Sequence, residues 1–185
     1  MDLKAYVMEQ GADGAGWISP AKLPIDPVLR KACEANTCGS FGKTYACPPL
    51  VGTVEEVTAQ ARSFAGFLLF QSIGQLEDSF DVENMSAAGG RHAALTRKVH
   101  DTLYKNIPGL LTIGAGGCKL CETCGALAGT PCPEPARVIP SVSGYSINVS
   151  RAAAMAGLKY NNGPNTVTFF SGIFVPEGYM EASNL

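Results

Sequence analysis

Two stretches of the chain are apolar almost without a break, residues 64–73 and the segment TVTFFSGIFV at residues 166–175. Continuous apolar runs of this length, rich in Phe, Ile and Val, predict strands buried on both faces rather than strands with one wet side. A different period appears at residues 91–106, where Leu95, Val99 and Leu103 recur at four-residue steps and predict an amphipathic helix. Three further helices are predicted from their starts. Thr53-Val-Glu-Glu56 has the form of a capping box and opens a helix to about Arg62. Asp26-Pro27 supplies an N-cap and a first-turn proline for a helix over 27–35. Ser150 caps a short helix over 151–156, which Gly157 ends. After the break at Ile107-Pro-Gly, residues 110–113 form a short strand. The weak alternation of residues 4–8 predicts an edge strand. Residues 11–20 and 74–90 read as loops, the first with Trp17 and Ile18 turned inward. Residues 133–140 read as extended, and the tail from Pro176 as surface. The expected fold is α/β: a mixed β-sheet with packed helices, in one compact domain over residues 1–185.

Composition narrows the class. The 185 residues are 46% hydrophobic, enough for a buried core, while 14 Lys+Arg against 16 Asp+Glu leave a net charge of -2. That balance gives no reason to expect nucleic acid or an anionic membrane as partner. No apolar run reaches spanning length, and the N-terminus lacks a basic-then-apolar signal pattern, so a cytoplasmic location is expected. The 21 Gly and 12 Pro imply much loop. Seven cysteines, an odd number with no signal segment, argue against a secreted disulfide framework.

The cysteines fall in two blocks. In the second, residues 114–133, Cys118, Cys121 and Cys124 follow each other at C-x-x-C steps behind a glycine run, and Cys132 precedes Pro133. Such steps let successive thiolates wrap an iron–sulfur cubane. Tetrahedral zinc, with Zn–S bonds of about 2.3 Å, is the alternative, but it is usually held by two separated knuckles. The first block, residues 33–49, has Cys33, Cys38 and Cys47, the last before Pro48-Pro49. Its spacing is less regular and carries weight beside the second block. Two cubanes held by thiolates alone use eight cysteines, and the chain has seven. The direct grouping gives Cys118, Cys121, Cys124 and Cys132 to one 4Fe–4S cluster and Cys33, Cys38 and Cys47 to an incomplete one with an open iron. A ferredoxin-like exchange would instead give Cys132 to the early group. One cluster alone, or zinc, are the other cofactor readings. His92 and His100 point about 80° apart on their helix and make no tight ligand pair. They read as surface or half-buried polar residues, with one of them as missing ligand or proton donor in the minority reading. Lys43 and Tyr45 are further candidate helpers. No phosphate-cradling loop or nucleotide fingerprint is present.

The C-x4-C-x8-C-P-P block, the loop Gly116 to Cys124, and Gly129 to Cys132 carry a resemblance that extends through Pro140-Ser141 and Gly144-Tyr145-Ser-Ile147-Asn148-Val149 to Ala156-Gly157-Leu158 and the last strand. With these the chain resembles the predicted metal-binding proteins of domain-of-unknown-function family 2284, found in anaerobic bacteria and archaea. It departs from that family's pattern at Pro133, in place of a basic residue, and at Val142-Ser143-Gly144, in place of Met-Glu-Ala. The resemblance implies metal binding and little mechanism. Three functions fit the cysteines: low-potential electron transfer through two 4Fe–4S clusters, an enzyme that binds a small substrate at the open iron, and a zinc-stabilised binding protein. The corresponding partners are a redox protein or a small molecule, with a homo-oligomer as a further possibility.

Overall fold

A computed structural model describes residues 1–179. Four strands form one sheet in the order β1-β2-β4-β3: β1 (Gly14–Ile18), β2 (Gly66–Gln75), β3 (Leu111–Ile113) and β4 (Thr166–Val175). The α/β class with helices packed on a sheet is as expected, but the sheet of the described residues is not mixed: all three strand pairings are antiparallel. The central pair β2–β4 is in register over its whole length, from Gly66 opposite Val175 to Gln75 opposite Thr166.

Both faces of this pair are covered, which is why the two strands read as continuous apolar runs. On one face Leu68, Phe70 and Ile173 pack against α1 (Leu3–Glu9) and α4 (Val82–Asn106). On the other, Phe67, Leu69 and Phe174 pack against α3 (Val54–Arg62), α5 (Val149–Met155) and the turn at Val142–Tyr145. Phe67 and Phe174 lie with ring centroids 4.4 Å apart, in tilted contact. The result is three layers, helix on sheet on helix.

The capping box is present: Thr53 Oγ1 accepts from Glu56 N at 3.2 Å and Glu56 Oε2 from Thr53 N at 2.8 Å. The Asp26-Pro27 start yields a 3-10 turn, Pro27–Leu29, leading into α2 (Arg30–Glu34), with Cys33 in its last turn as expected. Several expectations are corrected. Residues 4–8 are helical, not an edge strand, because Asp2 caps Lys4 N and Ala5 N and the i,i+4 pair Leu3 and Val7 buries together. The stretch 11–20 contains the edge strand β1. Its glycines hide it, yet a Cβ on Gly16 would sit 2.0 Å from the Ala156 carbonyl oxygen, so only glycine lets β1 pass α5. Half of the stretch 74–90 is helix: α4 begins at Val82, where Asp81 accepts from Asn84 N at 3.0 Å. α5 is capped by Asn148 rather than Ser150. A 3-10 turn, Pro135–Arg137, interrupts the extended segment 133–140. Pro176 to Tyr179 is exposed or nearly so, and the rest of the tail lies outside the described residues.

Candidate metal centre

Three loops meet beyond the end of β3. One follows α2 and carries Cys38 and Cys47, ending in a cis Pro48–Pro49 peptide. The second leaves β3 through Gly114 and carries Cys118, Cys121 and Cys124, then Cys132. Segment 140–145 joins them. Ser141 N donates to Ala46 O at 2.9 Å, next to Cys47, while Gly114 and Val142 exchange bonds with the same segment (Gly114 N to Pro140 O, 2.8 Å; Val142 N to Gly114 O, 2.9 Å). This makes a parallel bridge of Gly114 and Ser141 at the root of both cysteine blocks.

Arg30 locks α2 onto this root. It is buried, and its guanidinium donates to Gly52 O at 3.0 Å and to Gly144 O at 2.8 Å. Charge-assisted bonds to two carbonyls offset the cost of burying the cation. One turn further along α2, Cys33 Sγ lies 3.8 Å from Ser143 O. Cys47 Sγ lies 3.7 Å from Ser141 Oγ, which itself accepts from Gly144 N at 2.9 Å.

The seven sulfurs sort into two cavities. Cys33, Cys38 and Cys47 line one, with Ser40, Ser141 and Ser143 as its hydroxyl-bearing side chains. Cys118, Cys121, Cys124 and Cys132 line the other, beside Tyr45 and Pro133. The Tyr45 hydroxyl donates to Thr130 O at 2.7 Å and so ties the first block to the exit of the second. The cavities are neighbours: a Cβ on Gly117 would stand 3.6 Å from Cys47 Sγ. Burial pushes the Cys33 thiol up, against the lowering effect of the Arg30 charge. It pushes Cys47 up as well, against hydrogen bonds from Ser141 and Thr44.

Backbone donors complete the site. Gly116 has φ of 86°, a left-handed turn that glycine accepts without strain. Among the described residues, no backbone N–H from Ala115 through Cys124 donates to another group. The run is exposed or half-buried, so its N–H groups are open to solvent or to an acceptor that is not protein. The donor set, thiolates with free amides around them, fits a metal–sulfur guest. Among the described residues no three His, Cys, Asp or Glu side chains converge on a point suited to a single ion.

Both histidines, expected to be surface or half-buried, are fully buried, at 1% and 2% exposure. They lie on the stripe of α4 that faces the sheet. His92 Nδ1 bonds Ser72 Oγ at 2.7 Å and its Nε2 bonds Ser171 Oγ at 2.8 Å, while His100 stacks on Tyr104. Neither lines a cysteine cavity, so the minority reading of a histidine ligand has no geometric support. Lys43 is exposed and lines neither cavity. Arg30 and Ser141 were missed. A cation one helical turn before Cys33 was a usable signal for Arg30, and Ser141 stands in the Pro140-Ser141 pair of the family pattern without any local sign of its contact with Cys47.

Thiol-lined cavities on loops held at one end of a small α/β sheet define a cysteine-rich metal-binding class. The chain belongs to domain-of-unknown-function family 2284, described as predicted metal-binding protein, which matches residues 16–175. Comparison with curated proteins and with solved structures finds no match to either. No described helix is long and apolar enough to cross a membrane.

Proposed function

We propose that the chain binds two 4Fe–4S clusters and acts in low-potential electron transfer. Cys118, Cys121, Cys124 and Cys132 would hold one. Cys33, Cys38 and Cys47 would hold the other, leaving one iron to a ligand that is not a protein thiolate. The observation that carries this reading is the separation of the cysteines into a four-sulfur and a three-sulfur cavity. It favours the direct grouping over the exchange of Cys132. The nearness of Cys47 Sγ to Gly117, 3.6 Å from where a Cβ there would stand and next to Cys118, would keep the clusters close enough for electron exchange.

A second reading has its own observation. Gly116 and Gly117 line the three-cysteine cavity and also an open cleft against α4. A small substrate in that cleft would lie beside the iron that lacks a thiolate, as an enzyme using that iron as Lewis acid requires.

The test is iron, sulfide and zinc per chain in anaerobically purified protein, with its visible spectrum. About eight irons and eight sulfides are expected. Cys121→Ser and Cys38→Ser should each lower the iron count by about half, because they touch different clusters. Zinc without iron would overturn the proposal.

A further inference from the structure

We propose that the cleft between α4 and the loop from Gly114 to Lys119 binds a small organic anion, an apolar body bearing a carboxylate or phosphate. The cleft holds about 660 Å³, a volume typical of small-molecule sites. The inference goes beyond the cluster assignment, because Cys118 is the one proposed metal ligand among its walls.

The walls divide the labour of recognition. Met85, Ile139 and Phe169 supply apolar surface for the body of a ligand. The charged residues lining the cleft are Arg97 and Lys119, both cations, in a chain whose net charge is -2. Among the described residues Lys119 carries its charge unshared, without an acidic partner, and Arg97 shares Asp101 with a second arginine. Arg97 Nη1 donates to Arg137 O at 2.7 Å and lies 3.7 Å from Asp101, but Arg137 holds that carboxylate more closely, at 3.1 Å. Among the described residues, no hydrogen bond uses Arg97 Nε or Nη2. The unpaired backbone N–H groups of Ala115 to Lys119 run along the same wall, adding donors for an anion.

The helix side of the cleft is kept low. Ser86, Gly89, Gly90 and Ala93 line it from one face of α4. Glycine is among the poorest residues for a helix interior, and here two stand together. Gly89 has a packing reason, since its Cβ would press Phe169 Cζ at 3.2 Å. Gly90 has none: nothing lies within 4 Å of where its Cβ would be. The space in front of Gly90 is cleft, and any larger side chain there would occupy it.

The position gives the site its interest. Gly116 and Gly117 separate the cleft from the Cys33/Cys38/Cys47 cavity, and Cys118 borders both the cleft and the four-cysteine cavity. An anion bound here would sit beside both groups of sulfurs.

The test uses the full chain, purified anaerobically, titrated with 4-phenylbutanoate, phenyl phosphate and the neutral 4-phenylbutanamide by ligand-observed NMR and calorimetry. Binding of either anion at least tenfold tighter than the amide is expected, and the better anion assigns the head group. Gly90→Trp should fill the cleft and weaken anion binding at least tenfold without changing metal content. Lys119→Glu, an exposed substitution that does not depend on accommodating a new ring, should weaken it similarly. Absence of anion binding, equal binding of the amide, or undiminished binding to a folded Gly90→Trp and to Lys119→Glu would each overturn the proposal. Metal analysis of the same samples keeps the two proposals apart. Anion binding by a protein that holds only zinc would overturn the cluster reading and sustain this one. Full clusters without anion binding would do the reverse.

Discussion

Acidification should destabilise the fold through His92, and the size of the effect follows from its surroundings. The imidazole lies between Ser72 and Ser171, with Phe70 and Phe169 against its ring and, among the described residues, no carboxylate bonded to it. Burial lowers its pKa from 6.5 to about 4, a shift only partly opposed by the Phe170 carbonyl. The folded pKa therefore lies below the unfolded one. Above pH 6.5 the ring is neutral in both states and costs nothing. As pH falls, the unfolded chain takes up the proton first, so stability is lost between 6.5 and about 4. With one pKa unit worth about 1.4 kcal/mol, the loss comes to about 2 kcal/mol at pH 5 and about 3 kcal/mol near pH 4.

The assay is denaturant unfolding of wild type and His92→Gln at pH 7 and pH 5 under anaerobic conditions. At pH 7 the variant should be the less stable, by about 1–3 kcal/mol, since glutamine cannot span both serines. At pH 5 the gap should close by about 2 kcal/mol, because only the wild type carries the His92 proton penalty. His100, whose pKa burial also lowers, and any acid loss of metal are common to both proteins and cancel in the difference. A gap that stays constant from pH 7 to pH 5 would refute the assignment of His92 as a buried neutral group.

Four further substitutions test other parts of the structure. Arg30→Gln removes charge-assisted bonds to Gly52 O and Gly144 O and should cost about 2–4 kcal/mol by thermal unfolding, lowering metal occupancy at Cys33, Cys38 and Cys47 more than at the other four cysteines. Gly16→Ala sets a methyl against the Ala156 carbonyl at a 2.0 Å approach, so β1 must shift from α5, with a loss of about 1–3 kcal/mol in chemical denaturation. Gly90→Ala, with open space before it, should stabilise α4 by up to about 1 kcal/mol, whereas Gly89→Ala should gain less because Phe169 stands 3.2 Å from the new methyl.

The parts of the fold that were legible are those where one local rule acts alone. The Thr53–Glu56 box, the four-residue steps of α4 and the apolar runs of β2 and β4 each announce an element within a dozen residues. Where glycine entered an element, legibility failed. β1 is hidden because Gly14 and Gly16 answer to Leu158, Gln71 and Ala156, which are distant in sequence, and not to strand propensity. The first half of α4 is hidden because the Ser86–Gly90 stretch has the composition of a loop, while a capping aspartate and sheet contacts at Ala88 and His92 hold it helical. His92 itself misled for a related reason: polarity suggests surface until two serines on different strands are seen to satisfy it.

The cysteines follow the same logic one level up. Spacing identifies them as a ligand set because C-x-x-C steps are local, yet it leaves open which cavity Cys132 joins, since that depends on how the chain returns after Cys124. The return is decided by contacts with no local signature. The Tyr45 hydroxyl holds Thr130, so Cys132 turns back toward Cys118. Ser141, 94 residues from Cys47 in sequence, sets the floor beneath that sulfur and pairs with Gly114 at the start of the second loop. A change at Ser141 therefore reaches both cavities at once. Ser141→Ala keeps the backbone bridge but strands the Gly144 N–H, which should cost about 1–3 kcal/mol in unfolding. The same change frees Gly144, whose carbonyl Arg30 uses, so metal loss should begin at the Cys33, Cys38 and Cys47 cavity and reach the other later. Time-resolved release to a chelator would show two phases in that order, and simultaneous release would mean that the two cavities share more than this one root.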